Sequence, residues 1–302
     1  MTDRITPDWI ALHVAPDQMT AWAMQDTQVL AHTHSPLDQS SLDQIRQDQA
    51  AFEAMVLSLG RDWDLGAQTR VLTCGLDPAD YIWAGTPYRP VPCPARAETV
   101  RDIPATAFAL RAIQGLSQKT PADVMSGPET TIAGFLALNP KWDGVICLPS
   151  PRCTIWAQVS AQEVVSFQTY MTGELFALLS QHSILRHAVQ SNDFDETAFD
   201  TALEEALRRP EKLAARLSEI RAETLLAAPC PSASRARLLG LLIGAEIAAA
   251  RPYWLGTQIA IIANMDQALP YSRALTSQGA PATIADPARM TLAGLSAVHR
   301  QL

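Results

Sequence analysis

The sequence predicts an α/β protein of two lobes with a cleft between them. Three observations point there. The chain has 302 residues, enough for two domains of ordinary size. Apolar residues make up 48% and charged residues 18%, which excludes disordered and low-complexity classes. A pattern of strand, turn, strand, strand and helix starts at Trp9 and starts again at Gly144, the two passes meeting near Asp143. The expected lobes are residues 1–143 and 144–302.

In the first pass, residues 9–14 (Trp-Ile-Ala-Leu-His-Val) form a β-type run with turn chemistry behind it at Ala15-Pro16-Asp17. Residues 19–24 and 28–32 supply the next two strands of a meander. A helix is expected over 42–59, with Ile45, Phe52, Met55, Val56 and Leu59 on one side. Residues 70–75 read as a buried strand ending in a glycine turn. Three prolines within 88–94 predict an extended segment without regular structure. A helix over 130–138 ends at Asn139-Pro140. In the second pass, strands are expected over 144–148, 154–159 and 163–167. Helices follow over 173–180, 196–208, 211–226 and 235–250, then a strand over 258–262 and a closing helix over 289–298.

Acidic residues outnumber basic ones, 31 to 23, for a formal charge of -8. Nucleic acid and anionic membrane are therefore excluded as partners, since both need clustered Lys and Arg. The five cysteines are separated and form no Cys-x-x-Cys pair, which argues against a disulfide framework and against a thiolate metal site. No basic segment followed by an apolar one opens the chain. The most apolar stretch, 238–250, is too short to span a bilayer and carries Glu246. A cytoplasmic protein is expected.

Four short segments invite a chemical reading. The turn His13-Val14-Ala15-Pro16-Asp17 occupies a place where phosphates are often clamped, yet it offers no glycine and no hydroxyl, and Pro16 removes an amide; an ordinary hairpin turn is the favoured reading. In Met125-Ser126-Gly127-Pro128-Glu129-Thr130-Thr131, Ser126 is placed to cap a helix and Glu129 to complement its dipole. The alternative for Glu129 is a general base facing a hydroxyl. Thr172-Gly173-Glu174 lies between apolar runs, with Thr172 the expected N-cap and His182 a C-terminal dipole partner. Gly240 and Gly244 share a helix face, which predicts close packing. Glu246 beside them faces a cleft or pairs with Arg251, because an unpaired buried carboxylate is costly. The chain has no P-loop, no Gly-x-Gly-x-x-Gly, no serine-triad signature and no zinc spacing.

On Met171-Thr172-Gly173-Glu174-Leu175, the following Leu178-Leu179 and His182 to Leu185, and Gly240 to Glu246, the chain resembles the 2-dehydro-3-deoxygalactonokinase family. Met125 to Thr131, Leu148-Pro149 with Cys153, Trp83 with Pro87-Tyr88, and Ala293-Gly294 add weaker matches. The matches run in order from about Trp9 to the C-terminus. The resemblance implies two ribonuclease-H-like lobes of the actin and hexokinase type. It implies phosphorylation of a hydroxyl of 2-dehydro-3-deoxy-galactonate, in galactose catabolism, with ATP and Mg. By the same resemblance Glu129 is the catalytic residue, and Trp83, Tyr88, Thr172, Gly173 and Glu174 contact the sugar acid. His13, Asp17, Ser150, Arg152, Gly244 and Asn264 stand at nucleotide positions, and no metal ligand is assigned.

Departures from the family pattern fall on the chemistry. His13 replaces an aspartate, Ala15 a glycine and Pro16 a hydroxyl residue in the first phosphate turn. The second turn reads Pro149-Ser150-Pro151-Arg152 where the family has Pro-Gly-Thr-His, and Thr154 replaces the lysine that normally follows. Pro78-Ala79-Asp80, Pro128 and Asn264-Met265 replace further polar motifs. Losing three or four charge-assisted hydrogen bonds, at about 1.5–3 kcal/mol each, removes most of the roughly 8 kcal/mol of a micromolar complex. Three readings follow: a sugar-acid kinase, a catalytically silent homologue (a pseudokinase) that binds a sugar acid or a partner protein, and a nucleotide-independent enzyme using Glu129 and Glu246. The sequence leaves a homo-oligomer open.

Overall fold

The computed structural model describes residues 4–227 and 230–302, so the first three residues of the expected first lobe lie outside the described residues. The chain divides into two compact units. One comprises Met1–Trp142, Ser160–Ser166 and Pro287–Leu302, the other Asp143–Val159 and Phe167–Asp286.

The first unit opens with an antiparallel meander of β1 (Trp9–Val14), β2 (Gln18–Gln25) and β3 (Gln28–Pro36). Two helices follow, α1 (Gln39–Gln47) and α2 (Gln49–Leu59), where a single one was expected. Asp48 breaks it: its backbone is extended and its carboxylate accepts from Ala50 N, so one residue ends α1 and caps α2. β4 (Arg70–Cys74) then lies parallel to β1. The proline-rich segment is not free of regular structure. β5 (Arg89–Pro90) pairs with Leu116-Ser117, and β6 (Cys93–Pro94) pairs with Glu163-Val164, since proline is tolerated on short edge strands. β7 (Arg101–Ile103), β8 (Ala109–Ala112), β9 (Leu116–Lys119) and β10 (Ala122–Met125) lead to α3 (Pro128–Leu138). The main sheet has the order β3-β2-β1-β4-β8-β7.

The second unit repeats this plan with β11 (Gly144–Pro149), β12 (Thr154–Ser160) and β13 (Glu163–Tyr170), whose first residues belong to the first unit. Helices α4 (Thr172–His182), α5 (Glu196–Arg208), α6 (Leu213–Ala227), α7 (Pro231–Ala249) and α8 (Arg251–Trp254) intervene before β14 (Ile259–Ile262). α6 starts two residues later than expected because Pro210–Lys212 first make a 3-10 turn. α9 (Met265–Ser277) had no counterpart in the sequence reading; it accommodates Pro270 and is held by burial of Ala268, Tyr271, Ala274 and Leu275. β15 (Ala282–Ala285) completes the order β15-β14-β11-β12-β13. Each unit thus carries a three-stranded meander flanked by two parallel strands, the ribonuclease-H-like arrangement.

α10 (Pro287–His299) was expected with the C-terminal lobe and instead belongs to the first unit. Its Leu295 and Val298 pack with Trp9, Ala11 and Leu72 on one face of the sheet, while Ile10, Leu12 and Val14 face Phe52 and Val56 on the other. β1 is apolar almost throughout because both of its faces are covered. α10 also fixes α3. A Cβ on Gly134 would overlap Met290 O and one on Gly294 would overlap Thr130 O, and the hydroxyls of Thr131 and Thr291 lie 2.8 Å apart. Glycine at 134 and 294 lets the two backbones touch, and α3 is the helix that carries Glu129 in its first turn.

Candidate functional site

In the first unit, the parallel register of β1 and β4 sets His13 beside Cys74 at the carboxyl ends of the central strands, the usual place for ligands in open α/β sheets. Gly75 follows with φ +92°, and a Cβ there would overlap Val14 O. Gly127, at φ +104°, ends the approach to α3, and His13 Nε2 lies 3.6 Å from where its Cβ would stand. Ser126 does not cap α3 as expected. Gly127 occupies the cap position, and the Ser126 hydroxyl is buried without a partner.

Glu129 is fully buried at the start of α3. Its Oε2 accepts from Gly127 N at 2.6 Å and its Oε1 from Thr130 Oγ1 at 2.9 Å. Burial pushes its carboxyl up to about 7, opposed by these bonds and by the Arg89 charge. Burial pushes the His13 imidazole down to about 4, opposed by Asp17. His13 is therefore neutral at neutral pH, and Glu129 sits near its titration midpoint.

The other expected residues of this unit are tied elsewhere. Trp83 Nε1 donates to Ile45 O at 3.1 Å, and its ring packs on Phe52 and Tyr81. Tyr88 OH donates to Asp77 Oδ1 at 2.6 Å. Asp17 is exposed in the β1–β2 turn, which closes through Ala15 N donating to Gln18 O at 2.9 Å.

In the second unit two motifs found separately in the sequence meet. Thr172 is not the N-cap of α4 but its first helical residue, buried, with its hydroxyl donating to Glu246. Gly173 packs on the β11–β12 turn, where a Cβ would stand 2.8 Å from Ser150 O, and Glu174 N donates to Arg152 O at 2.7 Å. That turn is closed on itself. Ser150 N and Oγ both donate to Cys153 O, and Cys153 N donates to Ser150 Oγ.

Glu246 pairs with neither Arg251 nor solvent. Trp156 Nε1 donates to it at 2.8 Å and Tyr271 OH at 2.8 Å, with Thr154 Oγ1 2.6 Å from the same phenol oxygen. Burial still raises its pKa above the usual carboxylate range. Trp156 and Tyr271 carried no signal in the sequence, because they lie far from Glu246 along the chain. Gly244 was expected near nucleotide; its Cα instead faces α5, where a Cβ would stand 2.7 Å from Leu203 O, so helix packing accounts for it. Asn264 is exposed just past β14, at the N-terminal boundary of α9.

The family profile of 2-keto-3-deoxy-galactonokinase matches residues 17–298. The 2-dehydro-3-deoxygalactonokinase of Escherichia coli (strain K12) is 28% identical over 282 residues, 92% of this chain and 93% of its own. A Rhizobium meliloti (strain 1021) protein named "Probable 2-dehydro-3-deoxygalactonokinase" is 30% identical over 247 residues, 78% of this chain and 79% of its own. A crystal structure from Sinorhizobium meliloti, provisionally given the same kinase name, aligns with a TM-score of 0.86 at 27% identity, covering 97% of this chain and 96% of that one. Component A of (R)-2-hydroxyglutaryl-CoA dehydratase from Acidaminococcus fermentans, at 10% identity and a TM-score of 0.51, covers 96% of both chains and shares the fold alone.

Proposed function

The chain belongs to the 2-keto-3-deoxy-galactonokinase family, and we propose that it keeps a sugar-acid site at Glu129 while its two phosphate turns have lost their grip on Mg-ATP. The observation that carries this reading is the use of the turn amides. Ala15 N is spent on Gln18 O, Ser150 N on Cys153 O and Cys153 N on Ser150 Oγ, and prolines stand at 16 and 151. A polyphosphate needs such amides directed outward.

The donor set does not fit Mg²⁺. That ion takes carboxylate, phosphate and water oxygens, and the aspartate position of the family holds the neutral imidazole of His13.

Glu129 suits the acceptor side. A carboxyl at about 7 is half protonated at neutral pH, so it can donate to or accept from a substrate hydroxyl. The substrate proposed is 2-dehydro-3-deoxygalactonate, the compound in the relatives' names. Thr172 is engaged with Glu246 and Gly173 lies against the β11–β12 turn, so both serve the packing of the second unit. A cytoplasmic location is part of the same proposal.

Calorimetric titration tests the reading. Heat with 2-dehydro-3-deoxygalactonate and none with Mg-ATP up to millimolar concentration is the expected result. Sub-millimolar Mg-ATP binding overturns the loss of nucleotide grip, and absence of sugar-acid binding overturns the acceptor site. A second reading, an active kinase, is favoured by the pKa of Glu129, which is that of a working general base. Turnover in a coupled ATPase assay that falls about 10²–10⁴-fold in Glu129→Gln would decide for it.

A further inference from the structure

In the second unit, the last turn of α4, the start of α7 and residues 186–192 border a surface cavity of about 520 Å³. That is within the usual range for small-molecule sites, and none of the site residues expected from the sequence lines it. Arg186 and Arg235 line it, and no acidic residue does, in a chain of net charge -8. Elsewhere in this unit Arg208, Arg216, Arg237 and Arg273 each pair with a carboxylate. Arg186 and Arg235 pair with none among the described residues. Asp195, close by in sequence, caps α5 through Ala198 N. Both guanidiniums are nonetheless held. Arg235 lies over the Phe176 ring, 4.8 Å from its centroid, and Arg186 Nη1 donates to Ser183 O at 3.1 Å. These contacts leave most of each donor fork free. The exposed carboxamides of Gln181, Gln190 and Asn192 also line the cavity, without a hydrogen-bond partner among the described residues.

We propose that this cavity binds a phosphate monoester of a small hydroxylated molecule, its phosphoryl group neutralised by Arg186 and Arg235. A phosphate monoester approaches two negative charges at neutral pH, which matches two fixed cations, and a guanidinium fork fits phosphate oxygens. A single carboxylate would leave one arginine unmatched. The three carboxamides remain for the hydroxyls of the ligand. Every lining residue belongs to the second unit, so the site is complete within it. It stands whether or not the two phosphate turns hold a nucleotide.

Calorimetric titration of the full chain without Mg²⁺ tests it, with glycerol 3-phosphate, inorganic phosphate and succinate as probes. Glycerol 3-phosphate should bind with a sub-millimolar Kd. Arg186→Gln and Arg235→Gln should each weaken that binding at least about tenfold. Arg221→Gln, which removes an exposed arginine outside the cavity, should leave it unchanged. Inorganic phosphate binding as tightly as the ester would overturn the ester as occupant, and tighter succinate would overturn phosphate altogether. No heat from either phosphate at millimolar concentration overturns the site, as does binding indifferent to both glutamine variants. Arg186 is exposed, so Arg186→Gln carries the test alone should losing the Arg235–Phe176 contact disturb folding. Heat from Mg-ATP that vanishes in Arg186→Gln would belong to this cavity and not to the phosphate turns.

Discussion

Trp156 Nε1 donates to Glu246 Oε1 at 2.8 Å across 90 residues of sequence. The bond joins a strand of the meander to the glycine-bearing helix α7. The same carboxylate collects Tyr271 from α9 and Thr172 from the start of α4, so one side chain holds four elements in register.

Removing that carboxylate should be costly. Glu246→Leu strands the donors of Trp156, Tyr271 and Thr172, at about 1–3 kcal/mol for each unsatisfied group, and urea unfolding should show a loss of about 3–9 kcal/mol in total. Glu246→Gln keeps one acceptor oxygen and should lose about 1–2 kcal/mol. A leucine variant as stable as the parent would remove Glu246 from the account of the fold.

The pH dependence of stability should reveal His13 and Glu129 as opposing contributors. His13 falls from 6.5 to about 4 on folding, so the unfolded chain binds more protons between those values and stability rises with pH across that window. Glu129 rises from 4.5 to about 7, so the folded chain binds more protons there and stability falls as pH rises. The two slopes nearly cancel between pH 4.5 and 6.5. Glu129→Gln should expose the His13 slope, and His13→Asn the Glu129 slope, each of order 1–3 kcal/mol. Flat profiles in both variants would contradict the assignment.

Gly294→Ala should loosen α10 from α3. Its Cβ would overlap Thr130 O, which is backbone and cannot rotate away. A loss of about 1–3 kcal/mol is expected, together with faster amide exchange at residues 127–131, where Glu129 is held. Unchanged exchange would show that α3 keeps its place without α10.

Restoring the family's first phosphate turn should restore nucleotide affinity. The triple change His13→Asp, Ala15→Gly and Pro16→Thr returns a carboxylate, an amide and a hydroxyl. Each charge-assisted bond contributes about 1.5–3 kcal/mol, so Mg-ATP binding by calorimetry should tighten at least about tenfold. No gain would mean that the second turn, or some other feature, limits binding.

Much of the architecture was legible in the sequence. The bounds of β1 and α5 agree with the sequence reading residue for residue, because a strand covered on both faces leaves a short continuous apolar run and an amphipathic helix a periodic one. α9 was not expected, since its stabilisation comes from the core it buries. At the site, Glu129 and the Thr172–Gly173–Glu174 triplet were visible through their motifs, while the roles of Thr172, Gly173 and Gly244 were not. A glycine four residues from another predicts close approach without saying to what.

Composition and periodicity determined that this chain is α/β and twofold in plan, and the resemblance of its motifs implied a sugar-acid kinase family, with prolines at the positions of that family's phosphate turns. Tertiary structure alone decided that α10 returns to the first unit, that Glu246 gathers Trp156, Tyr271 and Thr172, and that Ala15 N, Ser150 N and Cys153 N are taken up in closing the two turns. The reason is physical: local preferences act over a few residues and leave a pattern in the chain, whereas a buried carboxylate is satisfied by whatever donors the packed fold brings within 3 Å, however far apart they lie along it.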